Sequence, residues 1–487
     1  MKFKYREGND FGKLVMIIGV LMAVPLLMIP FYPGDIVYAF DFIVPSLFSI
    51  VFGYILYRNL PGCDSEERIK NFHRGALIVL CTWLYGFFIG AMPFVISGQL
   101  TLVQGIFEAV SGWTTTGLSV MEVDKTAHIF LFHRGFMQYC GGVGFVMVMI
   151  SFLKGKQIMN LYSAEGHPDK LSPNLGKTAR IILLMYNFFL VVGTIAYIVF
   201  GMDPFDSIVH AMCALSTGGF SNKVDSIGAY NSFPIELITI ILMIIGTTNF
   251  AALLLFAKGK FKQFWRVSEV RFMTLVISVG TLIVAIALVF DLNISLLEGL
   301  RISLFNVVSA LSTSGFATMP YTLWSPFAVT MLTVLMIIGG GIGSTAGALK
   351  LSRVYLMLRI VKENIKKRIG RNHSVSKPYY YKAQGKTYID QELIEDVFTF
   401  FFCYMVIYIV GSLLITVTAN CSLMDAMFDF ASSLGTVGLS IGITNPTTND
   451  ATLLIEIFGM LMGRLEIFIV IIGAYSGFAR IKNMFKR

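Results

Sequence analysis

Charged side chains are scarce in this sequence. Asp, Glu, Lys and Arg make up 14% of its 487 residues, against about 25% in a soluble globular chain. Cysteine is sparse too. The six (Cys63, Cys81, Cys140, Cys213, Cys403 and Cys421) share no paired spacing, so neither a disulfide framework nor a zinc site follows from them. Most sit in apolar runs, where Cys acts as a small hydrophobe. Of the six histidines, His128 and His133 lie five apart, which is no metal-ligand spacing on a helix. No cluster of nucleophile, base or metal ligands converges in the apolar segments, so the chain does not read as an enzyme. A secretory leader is not expected: the first apolar run is too long for one, and no small-residue cleavage site follows it.

What is present is apolar. Hydrophobic residues make up 55% and mean hydropathy is +0.73. Apolar stretches at 14–32, 76–96, 181–200, 235–257, 273–290, 327–339, 397–417 and around 465–474 approach or exceed the ~20 residues that cross a hydrocarbon core. The formal charge of +9 is unevenly spread. Of the 38 Lys and Arg, 33 fall in alternate loops: the N-terminus, 58–74, 154–180, 258–271, 350–386 and the C-terminal tail. Such bias is the positive-inside rule, and it predicts that both termini are cytoplasmic. Net charge here reflects topology, and no nucleic-acid partner is expected.

With that orientation, each predicted outer region carries one short pattern. The four segments are 107–119 (FEAVSGWTTTGLS), 209–221 (VHAMCALSTGGFS), 305–317 (FNVVSALSTSGFA) and 428–440 (FDFASSLGTVGLS). Thr115, Thr217, Thr313 and Thr436 share one column, and Gly117, Gly219, Gly315 and Gly438 share another. The glycines are 102, 96 and 123 residues apart, a long period that implies a repeated unit. Around each segment the order is long helix, short semi-polar helix, Thr-x-Gly loop, long return helix. The short helices, about 10–13 residues, are too short to span and read as re-entrant. Their polar loops are excluded from lipid and must pack together or line water.

Four such loops about one axis suit a dehydrated cation. Inward backbone carbonyls replace its water, Gly allows the positive φ that keeps them inward, and each short helix aims its negative end at the axis. The alternative is four helix C-caps with Gly at C′. Four repeats in register favour the filter.

The order and the motifs SGWTTTGLS, ALSTGGFS, ALSTSGFA and SLGTVGLS resemble the TrkH/TrkG/KtrB superfamily of potassium transport subunits across essentially the whole chain. Two helices before the first repeat, and the TTTG loop, are similar to the Trk branch. The resemblance implies an all-α polytopic membrane protein with four helix–pore-loop–helix repeats around a pseudo-fourfold pore, plus two extra N-terminal transmembrane helices. The divisions expected are 1–72 for that pair, 73–170, 171–268, 269–388 with an interrupted inner helix and a cytoplasmic basic loop, and 389–487. It implies a potassium-binding filter at Thr115, Thr116, Gly117; Thr217, Gly218, Gly219; Thr313, Ser314, Gly315; and Thr436, Val437, Gly438. With a single shared Gly per loop, fewer ordered ion sites and weaker cation discrimination are expected.

A gate is expected on the cytoplasmic side of the filter. After the third loop, residues 339–350 read GGGIGSTAGALK. Gly339, Gly340, Gly341, Gly343 and Gly347, each costing a helix about 1 kcal/mol, with Ser344 and Thr345 should unwind the helix before Lys350. This matches the gating loop of TrkH-like proteins. Gly341, Gly343 and Ala346, with Glu363 twenty residues on, mimic a dinucleotide fingerprint, but that needs a preceding strand. Arg464 stands in an apolar run, where a buried cation costs at least about 2.5–3.5 kcal/mol. Either it pairs with Glu466 or Glu456, or, as the resemblance implies, it blocks ions below the filter until a gate moves.

The resemblance further implies potassium uptake across a bacterial inner (plasma) membrane, a homodimer with one pore per protomer, and no covalently bound cofactor. A cytosolic TrkA-like ring of regulatory subunits would dock on the basic 350–386 segment, with Lys366, Lys367, Arg368 and Arg371, and any NAD, ATP or ADP would belong to that ring. A proton- or sodium-coupled carrier is the alternative; it would use paired broken helices, whereas the sequence suggests one clear break.

Overall fold

The computed structural model describes residues 10–59, 68–143, 175–369 and 378–484. Cys63, Arg371, the basic residues before Asp10 and the stretch holding Lys154 lie outside the described residues.

The N-terminal pair, α1 (Asp10–Ala23) and α2 (Ala39–Asn59), is antiparallel. Gly12 meets Gly53 and Tyr57, and Gly19 meets Ser46 and Ile50, the close backbone approach that small residues permit between membrane helices. The first repeat comprises α3 (Arg68–Ile96), α4 (Leu102–Trp113) and α5 (His128–Val143). The second comprises α6 (Leu175–Val199), α7 (Pro204–Leu215), α8 (Phe233–Thr247) and α9 (Phe250–Ala257). Short α10 (Phe261–Arg266) leads into the third: α11 (Ser268–Leu292), α12 (Leu296–Ser312), α13 (Pro326–Ile338) and α14 (Leu351–Ile369). A hairpin of β1 (Tyr379–Lys382) and β2 (Gly385–Tyr388) precedes the fourth: α15 (Gln391–Ala419), α16 (Leu423–Gly435), α17 (Asp450–Arg464) and α18 (Ile467–Met484).

Among the described residues, six helical stretches are long and apolar enough to cross a membrane. They include the N-terminal pair and the opening helix of every repeat. Along α6, Leu184, Phe188, Val191 and Ile195 are exposed, a helical stripe suited to lipid rather than water. The short helices α4, α7, α12 and α16 have 12, 12, 17 and 13 residues. Even the third, longer than expected, covers only about 26 Å of a ~30 Å core. Each opens on a side-chain N-cap: Thr101 with Gln104 in a capping box, Asp203, Ser295 and Ser422. Those oxygens satisfy otherwise orphaned N–H groups.

Two expectations need correction. The return helices break more than once. The third is non-helical across 339–350; α8 and α9 also meet at 114°, and α17 and the helix after it at 104°. No glycine run marks these two. In the second repeat Asn249 accepts from the amides of Ala251 and Ala252, starting a new helix inside an apolar run. The 350–386 segment is also not simply a loop. Leu351, Leu356 and Ile360 are buried, so its first half folds as α14, and its end carries the hairpin.

Candidate functional site

The four short helices converge on the four Thr-x-Gly loops, and each ends in the same way. The amides of Thr116, Gly218, Ser314 and Val437 reach back to the carbonyls of Ser111, Cys213, Ser309 and Ser432 at 2.8–2.9 Å. The preceding Thr amides bond the carbonyls of Gly112, Ala214, Ala310 and Ser433. This pair of bonds is a Schellman C-cap. The residue at its left-handed position is threonine, not glycine: φ is +57° at Thr115, +53° at Thr217, +57° at Thr313 and +51° at Thr436. The C-cap alternative thus holds at a different residue from the one expected. A β-branched side chain there is an outlier, and such strain concentrates at functional sites.

The glycines, two residues on, do something else. Gly117, Gly219, Gly315 and Gly438 have φ of +97°, +75°, +75° and +100°. A Cβ on Gly117 would fall on the Gly218 carbonyl, and one on Gly219 on the carbonyl of Ser314. One on Gly315 would fall on Val437, and one on Gly438 on Thr116. The contacts run one to two, two to three, three to four and four back to one. The loops form a closed ring, with a cavity of about 1000 Å³ lying against all four glycines on its outer side.

Behind the ring is a column that the sequence reading passed over. The second residue of each segment is polar: Glu108, His210, Asn306 and Asp429. Each ties down the chain leaving its loop. Ser119 donates to Glu108 at 2.9 Å, His210 Nε2 meets Ser221 at 2.9 Å, Asn306 donates to Thr318 at 2.9 Å and Ser440 donates to Asp429 at 2.7 Å. Glu108 also pairs with Arg134 at 2.6 Å, both side chains being almost wholly buried. The recurrence of a polar residue two positions into each segment was the available signal. At the outer mouth, burial pushes the Asp206 carboxyl up. Hydrogen bonds from Asn222 and Tyr230, with the charge of Lys223, outweigh it and hold the group below the usual carboxylate range. Lys223, which lines the cavity, pairs with this carboxylate at 3.5 Å.

Residues 339–350 lie on the opposite side of the ring and touch it. Thr345 Oγ1 meets Thr217 Oγ1 at 3.0 Å, and the Gly347 amide donates to Thr313 Oγ1 at 2.9 Å. A Cβ on Gly347 would strike Thr436 Oγ1 and the Gly435 carbonyl. The loop's other polar groups are met along the break of the second repeat. The Gly341 amide donates to the Thr247 carbonyl at 3.0 Å, the Phe250 amide to the Gly343 carbonyl at 3.1 Å and the Thr345 amide to the Gly246 carbonyl at 3.1 Å. Ser344 bonds the Gly341 carbonyl, Gly340 packs on Thr247 and Gly339 caps α13. This accounting is what irregular backbone inside a membrane requires. Lys350 Nζ donates to the Ala346 carbonyl. The preceding element is helix α13 rather than a strand, which removes the dinucleotide resemblance.

Arg464 closes the assembly. Its guanidinium donates to the Thr345 carbonyl at 2.6 Å and to the carbonyls of Gly141 and Gly142. Of its two expected acidic partners, Glu466 bridges Arg353 at 2.8 Å and Glu456 accepts from Thr444 at 2.8 Å. The four Thr-x-Gly loops, the 339–350 segment and Arg464 are thus joined by direct contacts.

The comparisons with known proteins agree with this architecture. The chain is 30% identical over 478 residues to the Trk system potassium uptake protein TrkH of Escherichia coli strain K12, with 95% of this chain and 96% of that protein covered. It is 28% identical over 481 residues to TrkG of the same strain. The crystal structure of the potassium transporter TrkH from Vibrio parahaemolyticus superposes with a TM-score of 0.82 at 26% identity, covering 95% of this chain and 96% of that one. The profile of the TrkH family, described as cation transport protein, matches residues 47–478, and the chain belongs to that family.

Proposed function

We propose that the chain carries potassium ions into the cell through the axis of the four-loop ring, with carbonyls of Thr115–Gly117, Thr217–Gly219, Thr313–Gly315 and Thr436–Gly438 replacing the ion's water. The observation that carries this reading is the cyclic contact of each ring glycine with the next loop's carbonyl. It leaves carbonyl-bearing backbone from all four repeats around one point, with four helix C-termini aimed at it. The names of the relatives support potassium as the ion.

In this reading 339–350, with Lys350 and Arg464, is the gate, since it stands across the cytoplasmic side of the ring. A cytosolic nucleotide-binding ring of the TrkA type would move it by way of α14 and the hairpin, and ATP, ADP or NAD would bind there rather than here. The protein would be a homodimer in the inner (plasma) membrane with both termini cytoplasmic.

The breaks in three return helices favour a second reading, a proton- or sodium-coupled carrier. Rocking one repeat against another would, however, tear a ring that closes through all four. Flux of potassium and sodium into liposomes, with and without a proton or sodium gradient, beside Gly315→Ser, separates the two. Gradient-independent potassium flux whose selectivity Gly315→Ser alters supports the pore; strict gradient coupling overturns it.

A further inference from the structure

The ring is not equal in its four quarters. The middle residue of each loop is Thr116, Gly218, Ser314 or Val437. In the first and third repeats this side chain bonds the residue two before it: Thr116 to Thr114, and Ser314 to Ser312, both at 2.8 Å. In the second repeat Gly218 has no side chain, and the room behind it is taken from elsewhere. Gln138, fully buried on α5 of the first repeat, reaches in. A Cβ on Gly218 would lie 2.5 Å from Gln138 Cδ.

The amide of Gln138 spans the ring glycine. Its Nε2 donates to the Gly218 carbonyl at 2.5 Å, and its Oε1 accepts from the Phe220 amide at 3.1 Å. The partners dictate the amide's orientation, since a carbonyl only accepts and a backbone N–H only donates. The Gly218 carbonyl is the one on which Gly117 of the next loop rests. One side chain thus holds the backbone on both sides of Gly219 and polarises a carbonyl of the ring.

We propose that Gln138 is a positioning residue for cation discrimination, replacing in trans the side chain that Gly218 lacks. This inference rests on the ring acting as the ion filter. A bidentate amide resists rotation of the peptide between Gly218 and Gly219. Without it that peptide, bordered by two glycines, turns freely, and a ring free to shrink accepts a smaller cation.

The test is potassium-to-sodium flux ratio in liposomes for purified protein that remains monodisperse. Gln138→Leu keeps the volume and loses both bonds; Gln138→Glu keeps the acceptor for Phe220 and loses the donor. Gln138→Glu is expected to lower the ratio about fivefold, the scale of one lost hydrogen bond, and Gln138→Leu by at least as much. Gly218→Ser alone should collide with Gln138 and lose flux, whereas Gln138→Ala/Gly218→Ser should recover the ratio to within about twofold, since the serine rebuilds the third loop's arrangement. A wild-type ratio in the Gln138 variants, while Gly315→Ser changes it, overturns the inference and leaves the filter standing. No change in Gly315→Ser either removes the filter reading itself. If the single Gln138 variants do not assemble, the double variant decides: an unrecovered ratio overturns the inference.

Discussion

Arg464 donates through Nη1 to the carbonyl of Thr345, 2.6 Å away, so the break in the last return helix is tied to the loop beneath the ring. Thr345 in turn meets the ring at Thr217. Thr345 thus touches both the last return helix and the ring.

Arg464→Ala should release that loop. A hydrogen bond from a charged donor contributes about 1.5–3 kcal/mol. Potassium flux in liposomes without any partner should then rise about ten- to a hundredfold. An unchanged flux in folded protein would show that Arg464 does not hold the path closed, and a lower one that it supports the open path.

Thr115→Gly separates stability from transport. The left-handed threonine costs on the order of 1–3 kcal/mol, of which glycine's extra chain entropy takes back about 1. The melting temperature in detergent should hold or rise while the potassium-to-sodium flux ratio falls. A variant that is stabilised and fully selective would mean that the strained threonine plays no part in ion choice.

Glu108→Gln should be among the most damaging substitutions away from the axis. Glu108 and Arg134 are paired at 2.6 Å with side chains 0% and 2% exposed, and stripping one partner from such a pair costs about 3–5 kcal/mol. Adding Arg134→Met should recover part of that loss. Thermal unfolding of the four proteins of this cycle measures the coupling; additive losses would deny it.

What could be read from the sequence, and what could not, follows the range of the forces involved. The Thr and Gly columns were visible because their backbone demands are local and recur four times. The helix break at 339–350 was visible because its glycines are clustered. Asn249, which breaks the second return helix, is a single N-cap within an apolar run, and hydropathy outweighs it in any window. Gln138 sits 80 residues from its partner Gly218, and nothing near it marks the pairing. The polar column from Glu108 to Asp429 was present in the alignment of the segments; its variety of residue types hid a shared geometry.

The ring closes within one polypeptide. A pore assembled from four identical chains must change in every quarter when it changes in one. Here each quarter is written separately, as the unlike residues Thr116, Gly218, Ser314 and Val437 already attest. In the proposed filter, ion preference can therefore drift by single steps, one quadrant at a time, each step meeting the neighbouring quadrant at the glycine that leans on it.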